Sequence, residues 1–254
     1  MTEKESFHMG QLNNEESLLA FQRYVDDKQI GLNELNVARP WHDLPGKKQH
    51  VCKLKVGDAA PNSKVVKLDG TETTLHEILD GSGGSKNKNT PTVLVFGSMT
   101  CPSFRSMYVE EFCEMIAEHK GAVRLVFVYL AEAHPQDGWQ VGQNVSQEVL
   151  INTHKSIEDR LAAAKQLLEH HSEIKELLVD SMEDLCDADY EAQPSRAYVI
   201  HDNQIVYQSN LGPYQISPSS LQAFLWEWPI LKGEKSTNLF NHSISEIDEA
   251  LFEE

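Results

Sequence analysis

The chain has 254 residues, 40% of them hydrophobic, and a formal net charge of −17 at pH 7. That length suits one domain with extensions or two small domains, and the acidic balance argues against nucleic acid or an anionic membrane surface as a partner. No apolar run approaches the roughly 20 residues of a membrane span, and residues 1–10 lack the apolar core of a signal peptide. We therefore expect a cytoplasmic protein without a membrane anchor.

The cysteine pattern agrees with that location. Cys52, Cys101, Cys113 and Cys186 are far apart in the sequence and form neither a C-x-x-C pair nor a metal-ligand spacing. Free thiols suit a reducing compartment. We expect unpaired cysteines and no bound metal.

The first 50 residues read as a separate segment. Asn14 is a candidate N-cap for a helix with apolar residues on one side, and a linker or arm rich in Pro, Gly and Lys follows it. We predict an N-terminal helical extension over 1–50, a central domain over 51–230 and an acidic C-terminal tail over 231–254.

Hydrophobic periodicity predicts the elements of the central domain in chain order. Apolar and β-branched runs predict strands over 64–68, 92–96, 124–130 and 177–179, then a hairpin of 196–201 and 204–208. Helical spacing predicts helices over 74–79, 104–120, 156–170 and 217–228. This order predicts an α/β fold with a thioredoxin-like mixed sheet flanked by helices.

Cys101 lies where a predicted buried strand gives way to a helix. The N–H groups and the dipole of a helix start favour an anion, and thiolate is the reactive form of cysteine. Pro102 fits the first helical turn, where a missing N–H costs nothing. We predict a reactive thiol here; the alternative is a buried structural cysteine.

The loop after the second long strand carries Glu132, His134 and Trp139. It leaves the sheet at the same edge as Cys101, because the carboxyl ends of parallel strands lie together. A carboxylate, an imidazole and an indole in one loop suit a proton relay beside an aromatic binding wall. The alternative is a solvated carboxylate, a capping histidine and a core tryptophan.

Two later segments contain further candidates. Ser156 is a plausible N-cap with Asp159 three residues on, which places His154 just outside the helix as a substrate ligand or a surface histidine. Topology predicts that Pro194 is the cis-proline that faces the reactive cysteine in thioredoxin-like folds. Arg196 then either holds a carboxylate in a bidentate manner or pairs with an acidic neighbour.

Together these segments resemble the iodothyronine deiodinases, thioredoxin-fold selenoenzymes that remove iodide from thyroid hormones. The resemblance covers roughly residues 56–228, and its most specific part is the Glu-Ala-His to Asp-Gly-Trp run at 132–139. The segments that carry it are 96–104, 129–139, 154–163, 179–182, 194–200 and 212–214.

The resemblance implies a role for each candidate. Cys101, at the selenocysteine position, is the implied nucleophile, and Ser98 and Tyr129 support a proton relay with His134, which Glu132 orients. His154 and Arg196 would clamp the phenol and the carboxylate of the hormone, with Trp139 as the aromatic wall. It implies no bound cofactor but an external thiol reductant of the dithiol, glutathione or thioredoxin type.

Three features depart from the family pattern. Cysteine replaces selenocysteine, so the thiol needs help from its site to ionise at neutral pH. Met99 stands where vertebrate members often carry a cysteine, and the N-terminus lacks the membrane anchor of the family. These departures leave the reductant and the true substrate open.

The sequence therefore predicts an oxidoreductase that carries out thiol-dependent reductive deiodination of an iodinated phenol. The rival enzyme is a peroxiredoxin-like thiol peroxidase or thiol–disulfide oxidoreductase, with Ser98 where such sites normally have Thr. A non-catalytic thioredoxin-fold binding module is the third alternative. The oligomeric state is open, with a homodimer among the options.

Overall fold

A computed structural model describes residues 54–80 and 90–231 of the chain. The predicted N-terminal helical extension (1–50) lies outside the described residues, and so does the acidic tail (231–254) apart from its first residue. The contacts between residues divide the chain into two compact units, and the boundary lies between Ile216 and Ser217. The larger unit carries the sheet and every candidate site residue, and the predicted domain bounds of 51–230 stay a prediction.

Within the described residues, the strands are β1 (Lys64–Lys67), β2 (Glu72–Thr74), β3 (Thr92–Gly97), β4 (Arg124–Tyr129), β5 (Leu177–Asp180), β6 (Arg196–His201) and β7 (Gln204–Gln208). The helices are α1 (Leu75–Leu79), α2 (Val109–Glu118), α3 (Gly142–Ser146), α4 (Ile157–His170), α5 (Leu185–Tyr190) and α6 (Pro218–Leu231). A π-helical turn, Phe104–Tyr108, leads directly into α2.

The strands form one mixed sheet in the order β2-β1-β5-β4-β3-β6-β7. The central strands β3, β4 and β5 are parallel, whereas β6 runs antiparallel to β3 and β1 antiparallel to β5. The carboxyl ends of β3 and β4 therefore meet at one edge, and the pairing of Phe96 with Arg196 brings the start of β6 there too. The candidate site lies at this edge.

Apolar side chains cover both faces of the sheet, since successive residues of a strand point to opposite faces. On one face Phe96 packs against the rings of Tyr190 and Tyr198, with centroids 5.0 and 6.1 Å away. On the other face Phe127 meets Phe104 of the π-helical turn at 6.1 Å. The predicted α/β, thioredoxin-like sheet flanked by helices is confirmed.

Most predicted elements are present within one or two residues of their expected ends. The predicted cap of α4 is also confirmed, because the Asp159 N–H donates to Ser156 Oγ at 3.3 Å and the Ser156 N–H donates to the Asp159 carboxylate at 3.1 Å. The hairpin turns at Asp202 and Asn203, both with positive φ. In these segments local sequence and tertiary structure favour the same conformation.

Strand β2 and helices α3 and α5 were not predicted. Each is too short to show a period, and α3 and α5 have tertiary partners that fix their starts or ends. The N–H groups of Cys186 and Asp187 at the start of α5, for example, donate to the Asp180 carboxylate at 2.9 and 3.1 Å. That carboxylate comes from the end of β5, so the cap depends on the fold.

Helix α6 belongs to the second unit and is described by itself. Its predicted start is confirmed, since Ser217 precedes Pro218 and the Ser220 N–H donates to Ser217 Oγ at 3.2 Å. The rings of Phe224 and Trp228, one turn apart along the helix, meet edge to face with centroids 5.5 Å apart. Across 54–80 and 90–231, none of the helices has the length and apolar character needed to cross a bilayer.

Candidate active site

Cys101 lies four residues beyond the end of β3, in the turn that starts the next helix. Its N–H donates to the Ser98 carbonyl at 3.1 Å, and its own carbonyl accepts from the Arg105 N–H at 3.0 Å. The thiol is completely buried. The sequence therefore predicted the place of this cysteine in the fold.

Burial dominates the acidity of this thiol. It raises the pKa of Cys101 to about 11, while the N–H groups of Phe104 and Ser103, the charge of Arg105 and the nearby Ser195 hydroxyl lower the pKa. The N–H groups at the helix start thus lower the pKa of Cys101, as predicted, but the removal of the thiol from water raises this pKa by more. In this conformation the thiol is protonated at neutral pH.

Ser195 follows the Gln193–Pro194 bond, which is cis as predicted. Its buried hydroxyl acts on the Cys101 thiol and has no other hydrogen-bond partner among the described residues. Only glycine fits at position 212 behind it, because a Cβ there would lie 2.0 Å from Ser195 Oγ. The packing leaves the Ser195 O–H available to a thiolate.

Glu132 is the centre of a buried hydrogen-bond network. One carboxylate oxygen accepts from the N–H and the hydroxyl of Thr100 at 3.0 and 2.6 Å, and the other accepts from the Tyr129 hydroxyl. The Tyr129 oxygen in turn accepts from the Met99 N–H at 3.1 Å. The two residues directly before Cys101 are therefore fixed by the loop and strand that carry Glu132 and Tyr129.

His154 completes this network from a different loop. Its Nε2 lies 3.2 Å from Glu132 Oε1, and its Nδ1 accepts from Arg160 Nε–H at 3.3 Å. Because Nδ1 is an acceptor, the neutral ring carries its proton on Nε2, which makes no hydrogen bond among the described residues despite its closeness to the carboxylate. Arg160 is fixed by the Ser181 carbonyl at 2.6 Å and by Asp184 at 2.8 Å.

The backbone of His134 is linked to Glu132 through Thr100, whose Oγ1 accepts from the His134 N–H at 3.0 Å. Its ring packs on Trp139 with centroids 4.4 Å apart, and Nδ1 lies 3.2 Å from the Trp139 carbonyl. Burial lowers the pKa of His134 to about 4. The charge of Glu132 also acts on His134, so the orientation of His134 by Glu132 stays a prediction, and His154 is a second imidazole beside the same carboxylate.

The remaining predicted residues lie at the same edge. Ser98 Oγ accepts from the Ala133 N–H at 3.0 Å and so joins the loops after β3 and β4. Arg196 is buried, donates to the carbonyls of Ser209 at 3.3 Å and Glu191 at 3.2 Å, and lies 3.7 Å from the Glu191 carboxylate. Its role as a clamp for a substrate carboxylate stays a prediction.

Sequence reasoning missed a cluster around Arg105. The guanidinium donates to the Met99 carbonyl, to Asn144 Oδ1 at 3.1 Å and to Gln147 Oε1. Asn144 also donates to the Thr100 carbonyl at 2.8 Å. The spacing in the sequence could have indicated Arg105, since an arginine four residues after the predicted reactive cysteine lies on the same side of a helix. Nothing in the sequence indicated its partners, Asn144 of α3 and Gln147, which follows α3.

A cleft of about 390 Å³ opens beside His154 rather than beside Cys101. It is lined by the loop and helix around that histidine: 150–155, Asp159, Ala162, Ala163 and Gln166. Since the Cys101 thiol has no exposed surface, a bulky aromatic substrate reaches it only after the covering segments move.

Comparison with known proteins identifies the family. The model of the iodothyronine deiodinase family matches residues 30–228. The chain belongs to the iodothyronine deiodinase family. Cys101, the Glu132 network and both histidines all lie inside the matched range.

Individual relatives agree with this membership. The type I iodothyronine deiodinase of Xenopus laevis is 36% identical over 170 residues, which cover 67% of this chain and 62% of that protein. The thyroxine 5-deiodinase of Gallus gallus is 35% identical over 186 residues, covering 73% of this chain and 67% of that protein. The match thus spans less than two thirds of the Xenopus protein.

The thioredoxin domain of a thiol-disulfide oxidoreductase from Bacteroides vulgatus has a TM-score of 0.44 and 14% identity, covering 68% of this chain and 99% of that domain.

Proposed function

We propose that this protein catalyses the thiol-dependent reductive deiodination of iodothyronines, with Cys101 as the nucleophile. The observation that carries the proposal is the buried Glu132 network, which fixes Thr100 and Met99 directly before Cys101 and ends on His154. A soft nucleophile beside a carboxylate–imidazole pair has the groups that removal of an aromatic iodine needs.

The proposed reaction has two stages. The Cys101 thiolate attacks iodine along the C–I axis, so an S–I bond forms as the C–I bond breaks. The electron pair of the C–I bond stays on the ring carbon, which takes up a proton. An external thiol then attacks the sulfur of the sulfenyl iodide and releases iodide, and a second thiol frees Cys101 as a disulfide leaves.

The geometry favours different roles for the two histidines from those that the sequence suggested. His154 Nε2 lies 3.2 Å from Glu132 Oε1, and Tyr129 donates to the same carboxylate, so we assign His154 to the proton relay with Tyr129. His134 is neutral at pH 7 and packs on Trp139. We assign His134 and Trp139 to binding of the hormone ring.

An external thiol is the proposed reductant because the described cysteines are poorly placed to resolve the intermediate. Cys113 is twelve residues along the same helical segment, about 18 Å away, whereas a disulfide needs Cα atoms within about 7 Å. Cys186 is buried with its sulfur 3.9 Å from the Lys64 carbonyl. Cys101, Cys113 and Cys186 are all free, which suits the reducing cytoplasm that we propose as the location.

The test is to incubate the pure protein with a dithiol and either thyroxine or hydrogen peroxide. We expect iodide release from thyroxine that Cys101→Ala abolishes. Peroxide consumption without iodide release would replace this proposal by a thiol peroxidase. No turnover of either compound by a folded protein would favour a binding module.

A further inference from the structure

The Arg105 guanidinium is a buried cation without a carboxylate partner. The side chain is 5% exposed, and its hydrogen bonds go to three neutral acceptors: the Met99 carbonyl, Asn144 Oδ1 and Gln147 Oε1. In the part of the chain that the structure describes, no Asp or Glu oxygen lies within ion-pair distance of it.

The other described arginines are different. Arg124 pairs with Glu176, Arg160 lies 2.8 Å from Asp184, and Arg196 lies 3.7 Å from Glu191. A buried charge is costly unless an opposite charge accompanies it. Among the described residues, Arg105 is therefore a buried cation with no carboxylate within ion-pair distance.

Among the ionisable groups that act on the charge of Arg105, the thiol of Cys101 has the largest effect. The Arg105 N–H donates to the Cys101 carbonyl at 3.0 Å, so the two residues belong to one helical turn. The positive charge acts on the thiol across this turn. The same guanidinium also holds the carbonyl of Met99, two residues before the cysteine.

We propose that Arg105 is a positioning residue that supplies the positive charge against which Cys101 ionises, so that the thiolate becomes its counter-ion. This inference rests on the proposed role of Cys101 as the nucleophile. The charge of Arg105 favours the anion, whereas burial disfavours it and has the larger effect on the pKa of Cys101 in this conformation. The Ser195 hydroxyl, which has no other partner, donates to the same thiolate.

The other titratable groups around the thiol do not supply this charge. The hydroxyls of Tyr108 and Tyr214 stay neutral, because burial raises the pKa of Tyr108 far above its ordinary value and that of Tyr214 to about 12. The negative charge of Glu132, which lies on the other side of Thr100, acts on Arg105 as well. Among the described groups that act on Cys101, Arg105 alone is a cation.

The first test measures the alkylation of Cys101 by iodoacetamide as a function of pH, with mass spectrometry of the Cys101 peptide separating it from the other cysteines. The accessibility of the thiol changes the plateau of the alkylation rate at high pH, whereas the pKa of the thiol sets the midpoint, the pH at which the rate is half of that plateau. We expect Arg105→Gln to raise the midpoint by about one pH unit, which slows alkylation near neutral pH about tenfold. Arg105→Lys keeps the charge and should restore most of the acidity.

A matched control removes the same charge at the other end of the sheet. Arg124 begins β4, and Arg124→Gln should leave the Cys101 midpoint unchanged, because the length of a strand of about 20 Å separates the two sites. An unchanged midpoint in folded Arg105→Gln protein would overturn the proposal.

Gln147→Glu tests the charge without touching Arg105. It keeps the shape of the side chain but gives the guanidinium the carboxylate that it lacks. We expect the midpoint of Cys101 alkylation to rise, since the cation is then neutralised, and the unfolding temperature to rise or stay the same. If Arg105 serves only to hold the loop, Gln147→Glu leaves the midpoint unchanged, and the proposal fails. Neither measurement uses a hormone, so it is independent of whether deiodination is found.

Discussion

Nε2 of His154 lies 3.2 Å from Oε1 of Glu132, and both side chains are withdrawn from solvent. The carboxylate is held by Thr100 and Tyr129, and the imidazole by Arg160. Each partner is fixed by a different loop or strand, so the two groups are held close together, although Nε2 makes no aligned hydrogen bond among the described residues.

Replacing His154 should mainly lower kcat. His154→Ala removes the imidazole on Glu132, and loss of a positioned acid typically costs about 10²- to 10⁴-fold in rate. His134→Ala should instead mainly raise KM, since that ring packs on Trp139. Steady-state kinetics with thyroxine distinguish the two variants. A KM effect for His154→Ala and a kcat effect for His134→Ala would restore the roles suggested by the sequence.

Cys101→Ala should abolish turnover and leave the fold intact, because the thiol makes few contacts that alanine cannot keep. Replacing Cys101 by selenocysteine should raise the rate, since a selenol ionises far more readily in the same buried turn. Iodide release and circular dichroism measure both. Full activity in Cys101→Ala would refute the assignment, and an unchanged rate with selenocysteine would mean that attack on iodine is not limiting.

Arg196→Ala should raise KM for thyroxine roughly 10- to 150-fold if its guanidinium binds the hormone carboxylate, at the usual strength of a charge-assisted hydrogen bond. A substrate without the carboxylate should be turned over equally by both proteins. Glu191→Gln is the matched control, because it breaks the internal ion pair and keeps the guanidinium. Loss of stability in both variants, with KM unchanged, would make Arg196 a structural partner of Glu191.

Tyr108→Phe should make Cys101 more accessible. The Tyr108 hydroxyl donates to the Pro213 carbonyl at 2.7 Å and so holds the residue before Tyr214 in place. The Tyr214 hydroxyl interacts electrostatically with the Cys101 thiol. Loss of one hydrogen bond costs about 0.5–1.5 kcal/mol, which should raise the plateau rate of Cys101 alkylation roughly 2- to 12-fold. Tyr207→Phe, on β7, serves as the control. Equal plateau rates would show that another segment limits access.

The stability of the protein should depend on pH through His134. Burial lowers the pKa of His134 from 6.5 to about 4, so the unfolded chain binds more protons between these values. The neutral His134 therefore contributes about 3 kcal/mol to the free energy of unfolding above pH 6.5, and this contribution is lost as the pH falls to about 4.

Urea unfolding at pH 7 and pH 4.5 measures this effect. His134→Gln should lose less stability on acidification than the parent, whereas the exposed His170→Gln should behave like the parent. Burial raises the pKa of Asp180 to about 7, which changes stability with pH in the opposite direction. This contribution is the same in the parent and in both variants, so it cancels when their losses of stability are compared. Equal losses in parent and His134→Gln would mean that His134 is not held neutral by burial.

Long periodic segments could be predicted from the sequence. Strand β3 is an unbroken buried apolar run, and α4 has both an apolar stripe and a local cap. The five-residue helix α3 had no such signal, because it is fixed by hydrogen bonds of Asn144 to Thr100 and Arg105. Short polar segments with distant partners escape prediction for this reason.

By itself, the sequence determined where Cys101 lies: a buried strand followed by a helix leaves it in the turn between them, and this arrangement is local. Only the tertiary structure decided which groups surround that thiol. Glu132 meets His154 and Thr100, and Arg105 meets residues around α3, across long separations in the chain. The acidity of Cys101 depends on how deeply these contacts bury it, and burial is a property of the packed sheet and loops rather than of the residues alone.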